Sequence, residues 1–241
     1  MKTSIWLALI CAFAVQSIAL AASKPDQAQP NYRLDVVTGK GLMVVSMTMP
    51  KFHHGHLHNL RWQLFYRAAA AKPQKRPGKA ITLEHENFLT GRNIANDFGA
   101  EMFGVLFAVE LPAGSYELTK WYLDANTTAT NLESINAKPL GFEIHAGRAT
   151  YVGNLDMKVR AGENILGIEV LGDARVTISD EVKRDTEIFL RKFPQLSRDQ
   201  VDNGVTTDIS WQNAPRISVD PPPFPITTSM LTGSGKSVDA T

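Results

Sequence analysis

Residues 102–159 constrain this chain most, because they concentrate a strict alternation of apolar and other side chains that suits an extended, half-buried backbone. Phe103, Val105, Phe107, Val109 and Leu111 fall on one face of such a segment, and Pro112-Ala113-Gly114 follows as a turn. Residues 115–123 form a second extended segment, so the two read as a β-hairpin. After a polar interruption at residues 124–138, residues 140–145 and 150–159 repeat the pattern around Ala146-Gly147-Arg148. Gly114 and Gly147 permit positive φ where the chain must reverse.

The same alternation extends the β reading on both sides. Residues 33–37 and 42–49 read as strands about the turn Thr38-Gly39-Lys40-Gly41, and residues 60–67 as a third, with Leu60, Trp62, Leu64 and Tyr66 on its apolar face. Residues 160–164 turn the chain, and residues 165–171 and 175–178 read as a hairpin about Gly172-Asp173. Gly153 within a strand marks a bulge or a close backbone approach. One helix, residues 182–193, carries Val182, Thr186, Phe189 and Phe193 on one face, acidic residues at its start, Arg191 and Lys192 at its end, and Pro194 as its stop. Ser197 and Gln200 suit a capping box just beyond it. The expected fold class is mainly β: an antiparallel β-sandwich with a C-terminal helix near 181–193 packed on it, forming a single domain over residues 32–214.

Residues 1–22 read as an export signal. Lys2 supplies the positive n-region, residues 5–15 the apolar core, and Ala19-Leu20-Ala21 the small-residue cleavage site. Gln16 and Ser17 interrupt the apolar run too early for a membrane-spanning anchor. Cys11 sits inside the apolar core after Ile10, which does not suit lipidation, and cleavage removes it as the chain's one cysteine. The mature protein is therefore expected in the periplasm or outside the cell, without a transmembrane helix and without a disulfide. Loss of Lys2 brings the 25 basic residues level with the 24 acidic ones, leaving no global field that would draw the chain to nucleic acid. Residues 23–31 form a polar lead. Residues 215–241, with Pro221-Pro222-Pro223-Phe224-Pro225, read as a disordered tail.

Motifs that carry chemistry are sparse. Four of the six histidines, His53, His54, His56 and His58, fall within six residues, and on an extended piece three of them share a side. Neutral imidazoles so placed are candidate ligands for zinc or copper, although a solvated hairpin tip accounts for the same residues. Glu84-His85-Glu86 and the basic residues Lys72, Lys75, Arg76 and Lys79 read as surface. Asn126-Thr127-Thr128 matches a glycosylation acceptor that matters only in a eukaryotic secretory route. Gly235-Lys236-Ser237 lacks the rest of a phosphate-binding loop. No catalytic residue and no cofactor-binding residue is expected, since nucleophile-elbow, zinc-protease and paired-carboxylate patterns do not occur. Tyr116 and Tyr151 are expected to pack across neighbouring strands, while Trp62, Trp121 and Tyr122 are candidates for a sugar-stacking face.

The segments Pro112-Ala113-Gly114-Ser115-Tyr116-Glu117-Leu118, Gly141-Phe142-Glu143-Ile144 and Gly147-Arg148-Ala149-Thr150-Tyr151-Val152-Gly153-Asn154-Leu155 resemble a pattern in uncharacterised exported proteins of proteobacteria. The core of these proteins is similar to a carbohydrate-binding-like or transthyretin-like β-sandwich, a domain of unknown function. Residues 180–196, ending in Phe193-Pro194-Gln195-Leu196, resemble the segment C-terminal to that core in the same proteins. The resemblance covers residues 42–196 and implies the sandwich fold without bringing any catalytic residue. The expected function is an exported non-catalytic module, binding an envelope protein or glycan or serving structurally in the cell envelope. The alternative is a periplasmic metal-binding protein using the histidine-rich loop.

Overall fold

The computed structural model describes residues 27–50, 60–70, 78–85, 96–100, 102–125, 130–134, 138–163, 165–167, 169–205 and 209–211. The proposed signal, the group His53, His54, His56 and His58, the glycosylation triplet and the Pro-rich tail all lie outside the described residues.

The fold is a mainly β sandwich of two sheets with one helix packed on the outside. The first sheet comprises β1 (Lys40–Pro50), β4 (Met102–Pro112), β8 (Ala149–Glu163), β9 (Glu169–Ser179), β10 (Val201–Asn203) and β11 (Ile209–Trp211), in the order β11-β9-β8-β1-β4, with β10 beside the first residues of β8. The second comprises β2 (Leu60–Ala68), β3 (Lys79–His85), β5 (Gly114–Ala125), β6 (Thr130–Glu133) and β7 (Leu140–Ile144), in the order β3-β2-β5-β6, with β7 along the other half of β5. Most pairings are antiparallel, but β8 runs parallel to both β1 and β10.

Between the sheets lies a core fed by alternate residues. Met43, Val45, Met47 and Met49 of β1, Phe103, Phe107, Val109 and Leu111 of β4, and Leu60, Trp62, Leu64 and Tyr66 of β2 all point into it. The other face of β1 is buried as well, because the helix α1 (Val182–Lys192) covers it. Leu42, Val44, Leu106, Ala108 and Tyr151 pack there with Ile188, Phe189 and Phe193. Burial of one such phenylalanine is worth about 1.5–3 kcal/mol, enough to hold an 11-residue helix that would not persist alone. Asp180 accepts a hydrogen bond from Val182 N at 3.1 Å at the helix start, and Ser197 N donates to Gln200 Oε1 at 3.0 Å after its end, where the capping box was expected.

Four local expectations are corrected. Residues 102–111 and 115–123 do not form a hairpin: β4 pairs with β1 and β5 with β2, so Pro112-Ala113-Gly114 is a corner that carries the chain from one sheet to the other. Ala146-Gly147-Arg148 makes the same kind of crossing between β7 and β8. A period of two identifies a strand and its buried face but is silent on its partner. Residues 33–37 make no strand; a 3-10 turn, Val36–Thr38, forms instead, with Asp35 Oδ1 accepting from Val37 N at 2.8 Å. Finally, β8 runs on to Glu163, and Gly172-Asp173 is not a turn but a bulge in continuous β9, since Arg160 faces Asp173 while Ala161 faces Leu171. The turn is at residues 165–167, where Gly167 takes φ +71°. Gly153 sits at the bulge expected for it, with φ +121°; an added Cβ there would stand 2.9 Å from Ile178 Cγ2.

Registers also fix the two rims. Lys40 faces Pro112 at one end, where Gly114 faces Ile144. At the opposite end Pro50 faces Met102, and Leu60 faces both Ala125 and His85. The chain therefore leaves β1 and re-enters at β2 on the same rim.

Candidate functional site

The densest polar cluster lies between α1 and the outer face of the first sheet, where β1 exchanges aliphatic side chains for hydroxyls. Ser46 and Thr48 continue the face begun by Leu42 and Val44, and opposite them β8 presents Asn154 and Asp156. Ser46, Thr48, Asn154, Tyr151 and Asp185 are all buried, none more than 3% exposed. Asp185 Oδ2 accepts a 2.6 Å hydrogen bond from Tyr151 OH and a short one from Ser46 Oγ. Its other oxygen accepts from Arg184 Nε at 2.7 Å. Asn154 Oδ1 lies 3.0 Å from Ser46 Oγ and 3.1 Å from Thr48 Oγ1, and Thr48 donates to Asp156 Oδ1 at 3.2 Å.

Electrostatics explain why the cluster holds. Burial, then the Asp185 charge and hydrogen bond, push the Tyr151 phenol well above its ordinary range, so it remains a donor. Burial alone would lower the Arg184 pKa, but the hydrogen bond and charge of Asp185 outweigh it and the net direction is up. The guanidinium also rests 4.9 Å above the centre of the Phe98 ring. An aspartate with three donors and a cation beside it is a satisfied buried acceptor. What this arrangement does chemically is fasten α1 to the sheet, because helix and strands cover the reactive oxygens.

A second polar group occupies the rim near Lys40. Arg148 donates to both oxygens of Asp202, through Nε at 2.6 Å and Nη2 at 2.5 Å, and to Asp199 O at 2.8 Å. His145 Nδ1 stands 3.4 Å from Asp202 Oδ2. The Arg148 hydrogen bond holds the Asp202 carboxyl below its ordinary range against a smaller opposing effect of burial. These contacts tie β10 to the β7–β8 crossing.

The sequence candidates are distributed unevenly. Trp62 and Trp121 are wholly enclosed in the core, and neither indole nitrogen has a hydrogen-bond partner among the described residues; they fill volume and are not available for sugar stacking. Tyr122 is half-buried on the outer face of the second sheet. Tyr116 stacks on Phe142 of the neighbouring strand at 5.8 Å, and Tyr151 lies under α1. Asp185, whose sequence position suggested only a favourable charge in the first helical turn, was missed as a buried acceptor. The available signal was Ser46 and Thr48, two hydroxyls on one face of an otherwise apolar run. Large aliphatic side chains are exposed at both ends: Val36 (68%) and Val37 (92%) near the Lys40 rim, and Ile165 (91%) and Leu166 (75%) at the tip of the β8–β9 hairpin.

Among the described residues no group of three or more His, Cys, Asp or Glu is placed to hold a metal ion, and no helix is long and apolar enough to cross a membrane. No family model, curated protein or solved structure matches the chain.

Proposed function

We propose that this protein is an exported, non-catalytic β-sandwich module that binds an envelope protein or glycan, or serves structurally in the cell envelope. The observation that carries this reading is a division of labour: Ser46, Tyr151 and Asp185 are engaged in docking α1, whereas Ile165 and Leu166 are exposed at a hairpin tip. Exposed aliphatic side chains at the tip of a hairpin suit contact better than chemistry. Export fits the same picture, because cleavage after residue 22 leaves untouched Gln27 and Ala28, which add to the edge of β4.

The test combines localisation with crosslinking. The intact mass of the protein recovered from the envelope should correspond to a chain beginning at Ser23, and a photo-crosslinker at position 165 should capture a discrete envelope component. With the crosslinker kept at position 165, Leu166→Glu should abolish that capture while leaving the fold intact. A full-length chain retained in the cytoplasm would overturn the export reading, and turnover of a substrate by the purified protein would overturn the non-catalytic one.

The second reading is a periplasmic metal-binding protein that uses His53, His54, His56 and His58 for zinc or copper. Its support is topological: Pro50 and Leu60, which flank this group, lie on one rim, and Leu60 faces His85 in the sheet register, bringing a further histidine of the chain to that rim. Calorimetric titration of the mature protein with zinc and with copper should give heat at micromolar metal that is lost on replacing His54 and His56 together. Absence of heat rejects the site.

A further inference from the structure

Residues 27–34 join the edge of β4 to the segment that follows α1. Gln27 bridges Val109, and Ala28 N donates to Ala108 O at 2.9 Å, which adds the start of this strap to the sheet. Pro30 and Asn31 then form the centre of a turn closed by Tyr32 N donating to Gln29 O at 2.8 Å, with proline where its fixed φ suits a reversal. Beyond the turn the side chains alternate. Tyr32 and Leu34 are half-buried and pack, with Ala28, on the cluster that holds Ile188, Phe189, Phe193 and Leu196, while Arg33 is exposed. Burial first, and then a hydrogen bond to Glu110 of β4, push the Tyr32 phenol above its ordinary range, so its hydroxyl stays protonated.

The polar joint between strap and helix is a single side chain. Gln195, in the turn after α1, donates through Nε2 to Pro30 O at 2.6 Å and to Tyr32 O at 2.5 Å. Both acceptors are carbonyls, so only the nitrogen of the amide can face them, and its two N–H groups meet two acceptors. The backbone that carries Gln195 continues the hydrogen bonding of α1, since Phe193 N donates to Phe189 O at 2.9 Å and Leu196 N to Phe193 O at 3.0 Å. The first half of the helix is fastened differently, through Asp185 to Tyr151 and Ser46.

We propose that residues 27–34 are a latch on α1: the strap and the C-terminal half of the helix open as one unit, uncovering Leu42, Val44, Leu106 and Ala108 while the two sheets stay closed. Position supports this. The strap is added to an edge, its half-buried side chains join the outer cluster and not the core between the sheets, and Gln195 is exposed, so release costs none of the inner burial. Lys192 Nζ, 2.6 Å from Asp97 Oδ2, ties the same half of α1 to residues 96–100, and solvent reaches that tie as well. The device makes exposure of an apolar strip of β1 and β4 depend on the N-terminal segment, so whatever draws residues 27–34 away also frees the helix.

Hydrogen exchange on the full chain tests this. Gln195→Glu, at an exposed position, turns a carboxylate toward Pro30 O and Tyr32 O. The amides of Ala28 and of residues 188–193 should then exchange together at least about tenfold faster, with β2 and β5 amides unchanged. Ala28→Pro removes the donor to Ala108 O at the far end of the strap and should speed residues 188–193 by at least about threefold. Unchanged exchange of residues 188–193 in either variant would overturn the proposal, whether or not the strap itself exchanges faster. A rise shared equally by α1, β2 and β5 would show the domain opening as a whole and would overturn it too.

Discussion

The two faces of β1 are both buried, yet they are built of different material. Facing the second sheet, Met43, Val45, Met47 and Met49 meet a surface of aliphatic and aromatic side chains. Facing α1, Leu42 and Val44 are followed by Ser46 and Thr48, which join Asn154, Asp156, Tyr151 and Asp185. A sheet packed on a sheet is covered along its whole length, so burial alone stabilises that interface. A single short helix covers less and has to be positioned along and across the strands. Hydrogen bonds to one buried carboxylate fix that position, since they fail when the helix slides or rotates. The contrast teaches that the inner face carries most of the stability and the outer face the placement of α1.

Removing the acceptor should break the outer face most severely. Asp185→Ala takes the carboxylate away from Tyr151 OH, Ser46 Oγ and Arg184 Nε, leaving Ser46 its contact with Asn154 and Arg184 its longer one with Glu181, and should cost about 3–5 kcal/mol in urea unfolding. On the inner face, Met47→Ala should cost about 2–4 kcal/mol through lost burial and a cavity, with no displacement of α1 in exchange or proteolysis. The comparison would fail if Asp185→Ala left α1 as protected as Met47→Ala does. Smaller again, Tyr151→Phe removes one hydrogen bond to the carboxylate and keeps the ring, an expected loss of about 1.5–3 kcal/mol that should act on α1 before the sheets.

The smallest effect belongs to the Lys40 rim, where a polar contact is exposed rather than enclosed. The Asp202 carboxyl is held below its ordinary range chiefly by Arg148, so its contribution is present above the unfolded-state value near 4 and is lost as pH falls through the lower folded value. Urea midpoints measured between pH 5 and pH 2 should decline less steeply in Arg148→Ala than in the natural chain. High salt should shrink the difference, as expected of a contact that solvent reaches.

Legibility in the sequence followed the physics of each signal. The strands about residues 42–49, 60–67 and 103–111 were readable because one apolar face repeats at every second residue, and the helix because Val182, Thr186, Phe189 and Phe193 repeat at its own spacing. Strand pairing was not readable, and both expected hairpins at Pro112 and Gly172 were wrong for that reason. The short strands β6, β10 and β11 have too few residues to show a period, and each is held by a neighbour already in place. Asp185 looked like a surface charge because one residue's surroundings are set by segments 139 positions away, at Ser46.

By itself, the sequence determined that this chain forms sheets with one docked helix, since periodicity is a local property and survives without knowledge of partners. Only the tertiary structure decided which strands share a sheet, that Trp62 and Trp121 are core, and that Asp185 is buried under its own helix. Those outcomes depend on contacts between distant segments, and their free energy exists only once the chain has closed on itself.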